Sequence, residues 1–265
     1  MIVIGERINT SRAPVEKAVA DRDAEYIRQD VQAQEAAGAA YIDVNAAARI
    51  GHEMEDMAWL VEVVQDAVDL PLSLDSPDPA VLEQAYALAD KPPIINSISL
   101  ETERWEAMMP FLRGKECEVI ALCMDDTGLP ESAEAVAERA QRLIKGLKGV
   151  GFPEERIHVD PLIQPISTDQ TKGLMTLEAV ARIREESPEV HFTCGLSNIS
   201  YGLPVRQVIN RSFLALLMGA GLDGAIIDPL DQKLMAAVKA VDMLLANDEF
   251  CGAYLEAVRA GQITS

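Results

Sequence analysis

Thr193-Cys194-Gly195-Leu196-Ser197-Asn198-Ile199-Ser200 follows a short apolar run, residues 190–192, and leads through Gly202 and Pro204 into a helical pattern starting near Val208. The order is strand, polar turn, helix. Gly195 and Ser197 allow a backbone to come close to a ligand, and Asn198 carries both an amide donor and a carbonyl acceptor. A single Gly/Ser/Asn cluster marks only a loop. Here polar residues stand at the same place after several other apolar runs, and that recurrence decides the fold.

Outward from this stretch, apolar runs alternate with helical patterns along the whole chain. Residues 2–8, 40–44, 70–74, 93–95, 118–124, 157–159, 190–192 and 225–227 read as eight strands. Helical periodicity or helix signals fall at 23–37, 54–68, 79–88, 101–112 (despite Pro110), 132–147, 176–186, 208–219 and 231–246, with a last helix to about 258. The strands are continuous apolar runs rather than strict alternations, as expected for a parallel sheet covered by helices. A glycine-rich GxGxxG turn after the first strand is absent, which disfavours a doubly wound dinucleotide-binding sheet. The expected architecture is α/β, a (β/α)8 TIM barrel forming one domain over residues 1–265, a typical length for that fold.

Composition narrows the partners. The formal net charge of −20 opposes binding to nucleic acid or an anionic membrane. No apolar run is long enough to cross a bilayer, and residues 1–7 lack the pattern of a signal peptide. The four cysteines show no CxxC spacing and the three histidines no HxxxH pair, so neither a zinc nor an iron–sulfur site is expected. Reduced thiols in the cytoplasm are the expectation.

In this barrel the ligand sits at the C-terminal strand ends. Those ends carry Glu6, Arg7, Asn9, Asp43, Asn45, Asp75, Asn96, Asp125, Asp160, Asn198 and Asp228, and no histidine. The set suits a heterocycle rich in N–H donors and ring acceptors, because a carboxylate can accept two parallel N–H bonds from an amino-pyrimidine edge. Taken singly, Asp43, Asp125 and Asp228 read as structural groups, and Glu6 with Arg7 as an ion pair inside the barrel. Arg206 reads either as a surface arginine or as a ligand contact. Met124 reads as barrel packing or as an apolar pocket wall.

Five short motifs carry a resemblance: Ile4-Gly5-Glu6-Arg7-Ile8-Asn9, Leu74-Asp75-Ser76, Ile95-Asn96-Ser97, Val159-Asp160-Pro161 and Gly195-Leu196-Ser197-Asn198-Ile199-Ser200. In this order at strand ends they resemble the pterin-binding methyltransferase family. The similarity is greatest to methyltetrahydrofolate:corrinoid/iron–sulfur protein methyltransferase and the folate domain of cobalamin-dependent methionine synthase. The resemblance implies a homodimeric TIM barrel that holds tetrahydrofolate or methyltetrahydrofolate in its mouth. It also implies methyl exchange with a cobalamin or other corrinoid on a partner protein. It implies that Asp75, Asn96 and Asp160 hold the pterin ring and that Asn198 bonds near N5. Gly195 and Ser197 would shape the wall, with Arg206 near the folate or corrinoid. Asn198 and Asp160 are the catalytic candidates. Glu6, Asp75, Asn96, Met124, Asp160, Gly195, Ser197, Asn198 and Arg206 are the substrate-binding ones. No resident metal is implied. Tyr201-Gly202-Leu203-Pro204 replaces a more polar loop of the family, on the side facing the corrinoid.

Three other readings share these residues. Dihydropteroate synthase uses the same barrel and pterin pocket but needs cations for a pyrophosphate. A non-catalytic folate-binding subunit would present methyltetrahydrofolate to a partner. An acidic barrel lyase would bind a divalent cation through the strand-end carboxylates.

Overall fold

A computed structural model describes residues 1–263. Its eight strands are β1 (Ile2–Asn9), β2 (Tyr41–Asn45), β3 (Leu72–Asp75), β4 (Ile94–Leu100), β5 (Glu118–Asp125), β6 (Ile157–Asp160), β7 (His191–Gly195) and β8 (Gly224–Ile227). Each pairs in parallel with the next, and β1 pairs with β8, closing the barrel. Helices follow every strand: α1 (Ala13–Ala20) and α2 (Ala24–Ala36) after β1, then α3 (Glu53–Ala67), α4 (Pro79–Leu88), α5 (Thr102–Leu112), α6 (Ala133–Gly149), α7 (Lys172–Glu186), α8 (Arg206–Ala220) and α9 (Gln232–Leu244), with α10 (Gly252–Arg259) at the end.

The helices start where local chemistry satisfies their free N–H groups. The Asp23, Asp78, Ser132 and Asp231 side chains accept from the first-turn amides of α2, α4, α6 and α9. On α6, Val136, Ala140, Leu143, Ile144 and Leu147 recur at helical spacing and form its buried stripe. The main core lies between this helical ring and the outward faces of the strands, through residues such as Ile42, Leu74, Ile95, Val159 and Phe192. Gly5 is fixed by a close approach: a Cβ there would lie 2.1 Å from Gln34 Oε1 of α2.

Strand register defines the inward face, because paired residues of parallel neighbours point to the same side. Ile4, Ile94 and Ile120 form a fully buried inner layer with Ile2, Tyr41 and Ile226 around it. Below it lies a polar cluster. The Tyr41 hydroxyl donates to Glu118 (3.1 Å), and the His158 ring bridges Glu118 (2.6 Å) and Thr193 (2.8 Å). His191 pairs with Asp223 at 2.9 Å. Two of the three histidines are therefore spent at the N-terminal end of the barrel.

Four differences from the sequence reading stand out. α1 is an additional helix; its buried Val15, Ala18 and Val19 form too short a stripe to stand out. β4 continues past Asn96 and Ser97 to Leu100, since its backbone stays paired with β5. The residues after Gly195 coil into a 3₁₀ turn, Leu196–Ser200. α7 starts at Lys172, about one turn early.

Candidate active site

The inward positions one step above the isoleucine layer form the mouth. Register sets Asn45 of β2, Asp75 of β3 and Asn96 of β4 side by side and pairs Leu122 of β5 with Asp160 of β6, while Asp43 of β2 lies one inward step before Asn45, beside Ser73. Leu74, Ile95 and Val159, which alternate with them and point outward, are fully buried, whereas Glu6, Asp75, Asn96, Leu122, Met124, Asp160, Gly195 and Ser197 keep partial exposure. That contrast marks a cavity open at the strand ends.

The floor is a linked set of carboxylates and amides. Ser73 donates to Asp43 (2.7 Å), Asn96 reaches the same Asp43 oxygen at 3.4 Å, and Asn45 donates to Asp75 (2.7 Å). Asp160 accepts the Leu162 amide at 2.7 Å. Each of these acids retains acceptor capacity. Burial, then the neighbouring Asp75, raises the Asp43 carboxyl well above its ordinary range. Burial also raises Asp75, opposed by the Asn45 bond and the Arg104 charge. Burial pushes Asp160 up to about 7. Glu6 also reaches about 7, from burial and then from Asp228, with Arg12, Arg206 and Arg7 pulling the other way. The site thus holds acids that exchange protons near neutral pH.

The rim is the turn Leu196–Ser200. Asn198 is exposed, and the Cβ position at Gly195 lies 3.4 Å from its Nδ2, so Gly195 leaves room for the amide. Arg206, at the first position of α8, donates from Nε to Ser200 Oγ (3.0 Å) and from Nη2 to Ser197 O (2.6 Å). Its fork is engaged in holding the turn that carries Asn198. Beside Glu6 and Ser197 a cavity of about 380 Å³ opens between β8, α8 and α9, with Asn210 and Gln207 on its wall. The Asn210 Oδ1 is buried there with no hydrogen-bond partner.

Several ring residues are placed otherwise. Arg7 does not pair with Glu6: its guanidinium bonds Asp30 (2.8 Å) and Asp228 (2.8 Å), tying β1 to α2 and to the end of β8. Asp228 also accepts from Leu230 N, and Asp125 pairs with Arg139 at 2.8 Å, so both carboxylates are engaged in local contacts. Leu122, Ser73 and Arg104 belong to the site's surroundings without standing out in sequence. Leu122 lies mid-run on β5, and the other two act through partners that only the barrel brings close. Among the described residues no group of three or more His, Cys, Asp or Glu side chains is placed to hold a metal ion, and no helix is long and apolar enough to cross a membrane.

The chain is similar to known proteins over most of its length. The chain is 38% identical to the methylcorrinoid:tetrahydrofolate methyltransferase of Eubacterium limosum, over 99% of this chain and 98% of that protein. It is 33% identical to the methionine synthase of Mycobacterium tuberculosis over 86% of this chain, which spans only 20% of that protein's length. The fold is that of dihydropteroate synthase from Xanthomonas albilineans, with a TM-score of 0.70 at 17% identity, covering 94% of this chain and 93% of that one. Residues 5–228 match the family described as pterin binding enzyme, and the chain belongs to that family.

Proposed function

We propose that the chain transfers a methyl group between the corrinoid of a partner protein and N5 of tetrahydrofolate, with tetrahydrofolate as acceptor. Residues 1–265 would act as one pterin-binding domain, in a cytoplasmic homodimer. The observation that carries the reading is the mouth itself: a histidine-free floor of Asp75, Asn96 and Asp160 below the exposed amide of Asn198. The direction follows the name of the full-length relative from Eubacterium limosum.

Asp75 and Asn96, neighbours across β3 and β4, receive the amino-pyrimidine edge. Asp160 accepts a ring N–H as carboxylate or donates to a ring acceptor when protonated. Leu122, Met124, Gly195 and Ser197 form the walls, and Arg206 fixes the rim. The corrinoid supplies an activated methyl group whose carbon–cobalt bond breaks with the electron pair left on cobalt. N5 gains the methyl and develops positive charge before losing its proton. The Asn198 carbonyl oxygen accepts the N5–H bond, which strengthens as that charge builds and so stabilises the transition state over the ground state. An amide does not titrate usefully, so the proton passes to a group held near neutrality; Glu6 and Asp160 are the candidates at the mouth.

Dihydropteroate synthesis would need a free cation for pyrophosphate, and Arg206 is committed to the turn. Calorimetry with tetrahydrofolate and with a pterin pyrophosphate separates the two. Tetrahydrofolate binds, and the pyrophosphate adds no affinity to the pterin. A pyrophosphate-dependent gain would move the assignment to the synthase reaction.

A further inference from the structure

We propose that Arg104 is a positioning residue for the pterin site, tying the loop that follows Asp75 to the stretch of β4 that follows Asn96. The proposal rests on the pterin-binding reading above. Arg104 lies in the first turn of α5, outside the barrel, and its guanidinium reaches back over the ends of β3 and β4. Nε donates to Ser97 O at 2.9 Å, Nη2 to Ser76 O at 3.0 Å, and Nη1 to Pro77 O. Ser76 and Ser97 directly follow Asp75 and Asn96, which are paired across the two strands. One rigid fork therefore fixes the chain just beyond both residues that receive the pyrimidine edge. All of its hydrogen bonds go to backbone carbonyls. Three carbonyls reached from three separate nitrogens suit the spread fork of guanidinium and not the compact ammonium of lysine.

The cation has a second effect. Among the groups facing Asp75, Arg104 is the positive one; Glu53 of α3 and Asp43 of β2 are acidic, and Asn45 is a neutral donor. The other carboxylates near Arg104 are engaged elsewhere, Glu101 with Ser99 and Asp78 with the start of α4. Arg104 thus favours the carboxylate form of Asp75, the form that accepts paired N–H bonds. Without it Asp75 ionises at higher pH, and the acid limb of folate binding moves up in pH.

Arg184, which pairs with Asp223 at 3.2 Å, provides a control. It also donates to three carbonyls, of Pro188 (2.9 Å), Val190 (2.6 Å) and Gly221 (2.9 Å), but beside the N-terminal end of β7, away from the mouth. The test measures tetrahydrofolate affinity against pH for wild type, Arg104→Met, Arg104→Lys and Arg184→Met, each with its thermal melt. The Asp75 carboxyl is followed by carbon NMR in the ligand-free protein. Arg104→Met weakens binding about tenfold or more and raises both the acid limb and the Asp75 titration. Arg104→Lys restores the titration but not the full affinity. Arg184→Met lowers the melting temperature and leaves affinity unchanged. Wild-type affinity and titration in Arg104→Met would overturn the proposal, as would an equal affinity loss in Arg184→Met. If Arg104→Met does not fold, Arg104→Lys decides: undiminished affinity overturns the positioning role. Failure of wild type to bind tetrahydrofolate would instead reject the pterin reading, while the Asp75 titration still reports on Arg104.

Discussion

Asn198→Ala slows methyl transfer by ~10²–10³-fold while leaving the fold's stability almost unchanged. Asn198 is exposed on the rim, and the turn around it is held by Arg206, through Ser197 O and Ser200 Oγ. Removing the amide therefore breaks no contact that maintains the turn, and a change within about 0.5 kcal/mol is expected in stability. The catalytic loss is large because the missing bond is strongest when N5 carries positive charge. It should appear mainly in kcat and less in the KM for folate. Stopped-flow rates together with thermal melts check both halves. A clear loss of melting temperature with normal turnover would make Asn198 a turn-forming residue instead.

Asp160 gives effects of opposite sign on stability and binding. Its carboxyl is held near pH 7 by burial, well above the ~3.9 of an unfolded aspartate. A carboxyl raised in the folded state binds more protons folded than unfolded. Its contribution is complete below about pH 4 and is lost as pH rises through about 7. At pH 8 the ligand-free protein then carries a buried charge whose cost is on the order of 2–4 kcal/mol. Asp160→Asn keeps an oxygen for the Leu162 amide and removes that cost. It should melt higher than wild type at pH 8 and show little gain at pH 5. Asp160→Ala leaves pterin N–H groups unpaired and weakens folate binding on the order of 10–100-fold. Melts at the two pH values and calorimetric titration measure these effects. Unchanged folate affinity in Asp160→Ala would remove it from the site, and a pH-independent melting difference would reject a burial-raised carboxyl.

The barrel was legible because buried parallel strands leave continuous apolar runs and each ends in a polar residue. The reading weakened where a segment serves the site as well as the sheet. Asn96 and Ser97 interrupt the apolar run of β4, yet the strand continues to Leu100 because the backbone, not the side chains, makes the pairing. Among the acids, sequence read Asp43 as structural and Asp75 as a pterin contact, the latter through the resemblance rather than through any difference in their patterns. Register sets both facing inward, and only burial distinguishes the enclosed Asp43 from the partly exposed Asp75. Arg206 was visible beside the decisive turn, but its choice of backbone partners depends on how α8 meets that turn. Arg104 was not legible at all, since its three acceptors are carbonyls of the loop after β3 and of β4 itself. The acidic ring suggested an ion pair between Glu6 and Arg7, but the turn of β1 directs Arg7 to Asp30 and Asp228 and leaves Glu6 facing the mouth.

The most direct test is anaerobic methyl transfer between folate and free cobalamin, followed in both directions by the cobalt spectrum. Methylcobalamin with tetrahydrofolate should yield cob(I)alamin, methyltetrahydrofolate with cob(I)alamin should yield methylcobalamin, and Asn198→Ala should slow both. An absence of catalysis in either direction, even with the corrinoid supplied on its carrier protein and with folate bound, would contradict the assignment and leave a folate-presenting subunit in its place.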